Sequence, residues 1–216
     1  MASTTAEEGT FALKDGTRLY TKTWKVKQGN NHNIFSTALA SRGISVHGYD
    51  QRGWGKSVTK PRERGRGGDT KAILGDLTEF IGSITAHDDD AAPSLFLGGH
   101  SMGGGIALTY AALGPPDMLP RIRGYVISSP LLELHPSYLP PAPMRALLSF
   151  ASRFLPHLQI PQNIDPEVVS RDPEVQKEFK EDKLGHGIGT PEGMWGMLER
   201  GRALLDRRVE VDTGVR

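Results

Sequence analysis

The chain has 216 residues, 37% of them apolar, enough for one core-bearing domain with a smaller insertion. Its formal net charge is +1 with the two signs interleaved, which argues against strong recruitment to nucleic acid or to an anionic membrane. There is no cysteine, so disulfides, zinc-thiolate sites and a cysteine nucleophile are excluded.

The first residues, Met1 to Glu8, lack the basic and apolar regions of a signal peptide. No stretch approaches the ~18–20 apolar residues that a membrane span needs. The expectation is therefore a cytoplasmic protein. Residues 10–26 read as a hairpin, with Thr10–Leu13 and Leu19–Trp24 flanking Lys14-Asp15-Gly16-Thr17, a turn of Asp-Gly chemistry. Lys25 to Asn33 reads as loop. Ile34 to Arg42 is a short predicted helix stopped by Gly43, and Ile44–Asp50 alternates as a strand. A Gly- and Arg-rich loop follows over residues 51–69. From Thr70 to His87, Ile73, Leu77, Phe80, Ile81 and Ile84 recur at helical spacing. Ser94–Gly98 is a short apolar strand, Met102–Leu113 a small-residue buried helix, and Ile122–Ser128 another apolar strand. From residue 44 onward the order strand, helix, strand, helix, strand is that of a parallel sheet covered by helices. After Ser129 prolines interrupt the pattern, no strand is evident, and helices are predicted near 143–156, 173–182 and 191–207.

Gly99-His100-Ser101-Met102-Gly103 fits G-x-S-x-G between a predicted strand and a predicted helix. In that context Ser101 occupies a strained turn that lifts its hydroxyl clear of the sheet. Glycines at 99 and 103 let strand and helix approach closely. The helix N-terminus favours developing negative charge, and the backbone N–H of Met102 is the expected oxyanion donor. His100 is the variable residue of the turn.

These residues, with Asp50-Gln51-Arg52-Gly53-Trp54-Gly55-Lys56-Ser57 upstream and the Pro-rich helical segment downstream, resemble the monoacylglycerol lipases of the serine aminopeptidase-like group. Ala40–Ile44, Ile164-Asp165-Pro166-Glu167 and Arg171-Asp172-Pro173 also fit that pattern, and the resemblance covers about residues 8–212. It implies an α/β-hydrolase fold: a mostly parallel sheet with a helical lid insertion, truncated at the C-terminal strands. Residues 8–129 would be a partial hydrolase core, 130–208 the lid, and 209–216 a tail where the core would resume. The implied activity is hydrolysis of a carboxylic ester, a monoacylglycerol or lysolipid, through Ser101, with no metal and no organic cofactor. Contact of the lid with membranes or lipid droplets is a further implication.

Two departures stand out. The resembling family carries a strand ending in His-Gly before the helix that leads to Asp50, and that loop supplies a second oxyanion N–H. Here Lys25–Asn33 has no apolar run and no His-Gly, since His32 is followed by Asn33. The family's acid and histidine come after the lid, in the order Ser, Asp or Glu, His. Asp212 precedes that point and is not assigned. Of the seven histidines, His32, His47, His87, His100, His135, His157 and His186, none is placed as the base. The expectation is an impaired lipase, explained by a clipped gene model. The alternative is a non-catalytic acyl-binding pseudo-hydrolase.

Other features read blandly. Gly53–Ser57 lacks the first glycine of a phosphate loop, since position 50 is Asp50; Asp50 and Arg52 are expected to brace this loop by ion pairing. Arg62–Gly68 reads as a flexible surface loop without the interleaved aromatics of an RNA binder. Asp88-Asp89-Asp90 reads as a solvated helix end, not a calcium loop. The apolar residues Met144, Leu147, Leu148, Phe150, Phe154 and Leu155 fit two readings, contact with lipid and packing on the sheet domain.

Overall fold

The computed structural model describes residues 5–25, 34–85, 94–136, 138–162 and 164–211. They belong to two compact units, Met1–Arg64 with Asn163–Gly187, and Gly65–Gln162 with Ile188–Arg216.

The first unit carries an antiparallel sheet of β1 (Thr5–Ala12), β2 (Arg18–Lys25) and β3 (Val46–Tyr49), in that order. Asp15 shapes the predicted turn, because its Oδ1 accepts the Thr17 N–H at 2.8 Å and the Leu13 N–H reaches the Thr17 carbonyl at 2.8 Å. Strand β1 starts five residues before the predicted hairpin. Its extra residues, Thr5 to Gly9, carry no large apolar side chain, and cross-strand pairing extends it: Glu8 faces Lys22 and their charges lie 3.6 Å apart. Leu13, Leu19 and Trp24 are buried. Helix α1 (Ile34–Ala40) ends in a turn at Gly43, whose φ is 84°. Residues 163–187 add α5 (Pro166–Val169) and α6 (Pro173–Glu181). Each has proline in its first turn and an aspartate cap: Asp165 accepts from the Glu167 N–H and Asp172 from the Glu174 N–H. Only α6 was predicted; α5 is a single turn, too short to show a period.

The second unit is built on α2 (Thr70–Thr85), β4 (Leu95–His100), α3 (Met102–Leu113) and β5 (Ile122–Ser128). β4 and β5 pair in parallel, with Gly99 opposite Ile127 and His100 opposite Ser128. That is the predicted strand–helix–strand crossover. Helix α2 buries Ile73, Leu77, Phe80 and Ile81 as its spacing requires, and α3 is buried along most of its length. Tyr110 is fully buried, and its hydroxyl lies 3.1 Å from that of Thr78 on α2. α4 (Ala142–Phe154) and α7 (Pro191–Leu205) pack on each other, and α7 also meets α3. A two-residue antiparallel pairing of β6 (Ile160–Pro161) with β7 (Ile188–Gly189) corrects the expectation of no strand after 128. Such a bridge is too short to leave an alternating pattern.

The Arg-rich loop is also a correction. Gly65 and Gly67 are buried, and the buried Thr190 hydroxyl donates to the Gly65 carbonyl at 2.9 Å, so the segment is anchored rather than loose. Lys25, expected to start a loop, ends β2, and the rest of the expected interruption of the sheet, residues 26–33 with His32, lies outside the described residues, as do His87 and Asp88–Asp90. Among the described residues no helix is long and apolar enough to cross a membrane.

Candidate active site

Gly99, His100, Ser101, Met102 and Gly103 lie at the junction of β4 and α3. Ser101 has φ 51° and ψ −120°, a conformation that favours glycine, and its side chain is exposed and makes no capping bond. A strained residue between strand and helix is what the motif predicts. Backbone contacts hold the strain in place. The Ser101 N–H donates to the Ser128 carbonyl at 3.0 Å, while the Ser101 carbonyl accepts from Gly105 N–H at 3.1 Å and Leu131 N–H at 2.9 Å.

The glycines divide the work unevenly. A Cβ at Gly99 would overlap the Gly103 carbonyl and come within 2.8 Å of the Gly104 nitrogen. A Cβ at Gly104 would stand 3.0 Å from the Pro130 Cα, and one at Gly105 2.7 Å from the Leu131 carbonyl oxygen. At Gly103 a Cβ would meet nothing within 4 Å. The close approach expected of Gly103 is therefore corrected: Gly99 needs the space because the Gly103 backbone fills it, and the segment after β5 packs on the next turn, at Gly104 and Gly105.

Met102 is the first residue of α3, so its N–H has no acceptor within the helix and lies at the helix's electropositive end. The arrangement offers an exposed hydroxyl beside an N–H suited to an oxyanion. Among the described residues the Ser101 side chain makes no capping bond, and the histidines have other neighbours. His100 Nδ1 lies 3.2 Å from the Ser128 hydroxyl, and His47 Nδ1 3.2 Å from that of Thr23. His157 is 3.8 Å from Glu192, whose carboxyl is pushed up by burial against the opposing pull of His157. His135 packs edge-on to Tyr138. His186 stacks on Trp54 with ring centres 4.7 Å apart and bonds through Nε2 to the Gly53 carbonyl at 2.8 Å.

The Asp50–Ser57 loop is braced differently from the expected Asp50–Arg52 pair. Asp50 Oδ2 accepts the Lys56 N–H at 2.7 Å, its carbonyl accepts the Ser57 hydroxyl at 2.6 Å, and Gly55 leaves room for its carboxylate. Arg52 instead pairs with Asp15 at 2.9 Å, on the hairpin turn. Both acids serve local loop geometry, which spacing in sequence could not distinguish.

The apolar residues of α4 divide by face. Leu148 is buried, whereas Met144, Leu147, Phe150 and Phe154 are exposed, the last two rings with centres 4.4 Å apart and tilted by 31°. A cleft between the segment after β5 and α7, lined by Leu134, Leu139, Trp195 and Leu198, holds ≈ 20 Å³, room for one water. Among the described residues no group of His, Asp and Glu could hold a metal.

Residues 28–215 match the family described as serine aminopeptidase, S33. A Schizosaccharomyces pombe relative is 31% identical over 178 residues, covering 82% of this chain and 46% of the relative. A monoacylglycerol lipase of Mycolicibacterium smegmatis is 27% identical over 215 residues, covering 90% of this chain and 70% of that one. The crystal structure of a soluble variant of Saccharomyces cerevisiae monoglyceride lipase, in complex with a substrate analog, superposes with a TM-score of 0.80 at 26% identity. It covers 94% of this chain and 70% of that one. The chain thus spans about half the length of the Schizosaccharomyces pombe relative.

Proposed function

Because this chain belongs to the serine aminopeptidase, S33, family as a monoacylglycerol lipase-like α/β-hydrolase, we propose that it is a serine hydrolase of carboxylic esters acting on monoacylglycerols or lysolipids. The observation that carries the reading is the strained, exposed Ser101 at the mouth of α3. Ser101 Oγ attacks the ester carbonyl carbon as its proton passes to solvent water, and the Met102 N–H binds the resulting oxyanion. Collapse breaks the carbonyl carbon to glycerol oxygen bond, the leaving alkoxide takes a proton back from solvent, and water then attacks the acyl-serine, releasing the fatty acid and returning the proton to Ser101 Oγ. No metal or organic cofactor enters these steps.

Turnover is impaired in this reading, because a serine hydroxyl without a base is a poor nucleophile at neutral pH. Loss of a triad member leaves roughly 10³–10⁴-fold catalysis over water. In this reading residues 8–129 are the partial core and residues 130–208 the lid segment, and the exposed face of α4 touches the lipid surface that presents the substrate. The protein then works in the cytoplasm, at the periphery of membranes or lipid droplets.

The test is hydrolysis of a medium-chain monoacylglycerol by the protein and by Ser101→Ala, followed by glycerol release. Slow turnover lost in Ser101→Ala supports the proposal. Equal rates for the two proteins, together with saturable binding of a fluorescent fatty acid, would instead favour the acyl-binding pseudo-hydrolase.

A further inference from the structure

Glu192, Gly196 and Arg200 follow one another at four-residue steps on α7 and so share a face. Arg200 is only 6% exposed. Among the described residues its hydrogen-bond partner is neutral: Nη1 donates to the Thr70 hydroxyl at 3.2 Å. Burial lowers its pKa to about 10, which leaves it cationic at neutral pH. None of its nitrogens is a buried atom without a partner, so its remaining N–H groups reach solvent, where an anion could meet them and offset the cost of burying the cation.

The surroundings supply more donors. Arginine can only donate, so the Thr70 hydroxyl accepts from it and keeps its own hydrogen for another acceptor. Thr70 is also the first residue of the 16-residue α2, and its N–H has no acceptor within the helix. Gly196 opens a notch between these groups. The point where a Cβ would stand is 3.3 Å from Arg200 Nη1, 3.8 Å from Thr70 Oγ1 and 4.0 Å from Thr70 N. The nearby acids do not fill it. Asp69 is exposed and its Oδ1 already accepts the Ala72 N–H at 2.8 Å. Glu192 lies one turn earlier on α7, where its carboxylate sits 3.8 Å from the His157 ring.

We propose that the Gly196 notch is a binding site for a small oxoanion, a carboxylate or phosphate group held by Arg200 Nη1 and by the hydroxyl and N–H of Thr70. The site lies outside the Ser101 turn and does not depend on Ser101 being a nucleophile.

The experiment is calorimetric titration of the full chain with inorganic phosphate, with acetate and with decanoate, at constant ionic strength. One saturable site is expected. Arg200→Gln and Gly196→Ala should each weaken binding at least tenfold. Gly196→Ala adds a good helix former, so it remains folded even if Arg200→Gln does not. A response to phosphate alone identifies a phosphate source, and a response to both carboxylates identifies the acyl product's headgroup. Absence of binding by the unmodified chain, or binding unchanged in Gly196→Ala, overturns the proposal.

Discussion

Replacing Ser101 by glycine should make the protein more stable while removing its candidate nucleophile. At φ 51° and ψ −120° a residue with a Cβ is strained by ~1–3 kcal/mol. The hydroxyl is exposed and makes no capping bond, so its loss costs little. Glycine loosens the unfolded chain by roughly 0.5–1 kcal/mol, which offsets part of the gain. With central values of about 2 and about 0.75 kcal/mol, the net gain is about 1 kcal/mol, a rise in Tm of about 2–4 °C for a domain of this size. Ser101→Ala removes the same hydroxyl but keeps the Cβ and the strain, so its Tm should match the unmodified protein. Thermal unfolding of the three proteins side by side isolates the backbone term. Equal melting temperatures for the glycine and alanine variants would refute the claim that the turn stores strain.

Gly99→Ala should cost about 1–3 kcal/mol in a urea titration, because its Cβ meets backbone atoms of Gly103 and Gly104 that cannot rotate away. Gly103→Ala has open space and should be neutral or stabilising by up to ~1 kcal/mol. Glu192 has its carboxyl raised by burial, so the folded state holds that proton to a higher pH than the unfolded chain does. Stability from this group is then fully present below the ordinary carboxylate value and falls as pH rises through the folded value. Glu192→Gln should flatten that fall and raise the melting temperature at pH 7. Leu147→Asp with Phe154→Asp should reduce co-flotation with liposomes, since both side chains are more than half exposed on α4; unchanged partitioning would remove the lipid-contact role of that face.

Periodicity made most elements legible. The spacing of Ile73, Leu77, Phe80 and Ile81 marked α2 and its buried face, and Asp15-Gly16 marked the first turn. The strained serine was legible because G-x-S-x-G stood between an apolar run and a small-residue helix. What stayed hidden depends on long-range geometry. Arg52 meets Asp15 across 37 positions, and Arg200 meets Thr70 across 130. Neither partnership leaves a local pattern. The anchoring of Gly65 by Thr190 is of the same kind, which is why an Arg- and Gly-rich segment read as loose. The unequal roles of Gly99 and Gly103 were invisible because the motif records that small residues are needed and not which atom occupies the space.

Fluorophosphonate labelling with peptide mapping by mass spectrometry bears most directly on the central claim. A single adduct on Ser101, formed slowly and absent from Ser101→Ala, is the predicted outcome. An unlabelled but folded protein, or an adduct on the neighbouring Ser128 or Ser129, would contradict it.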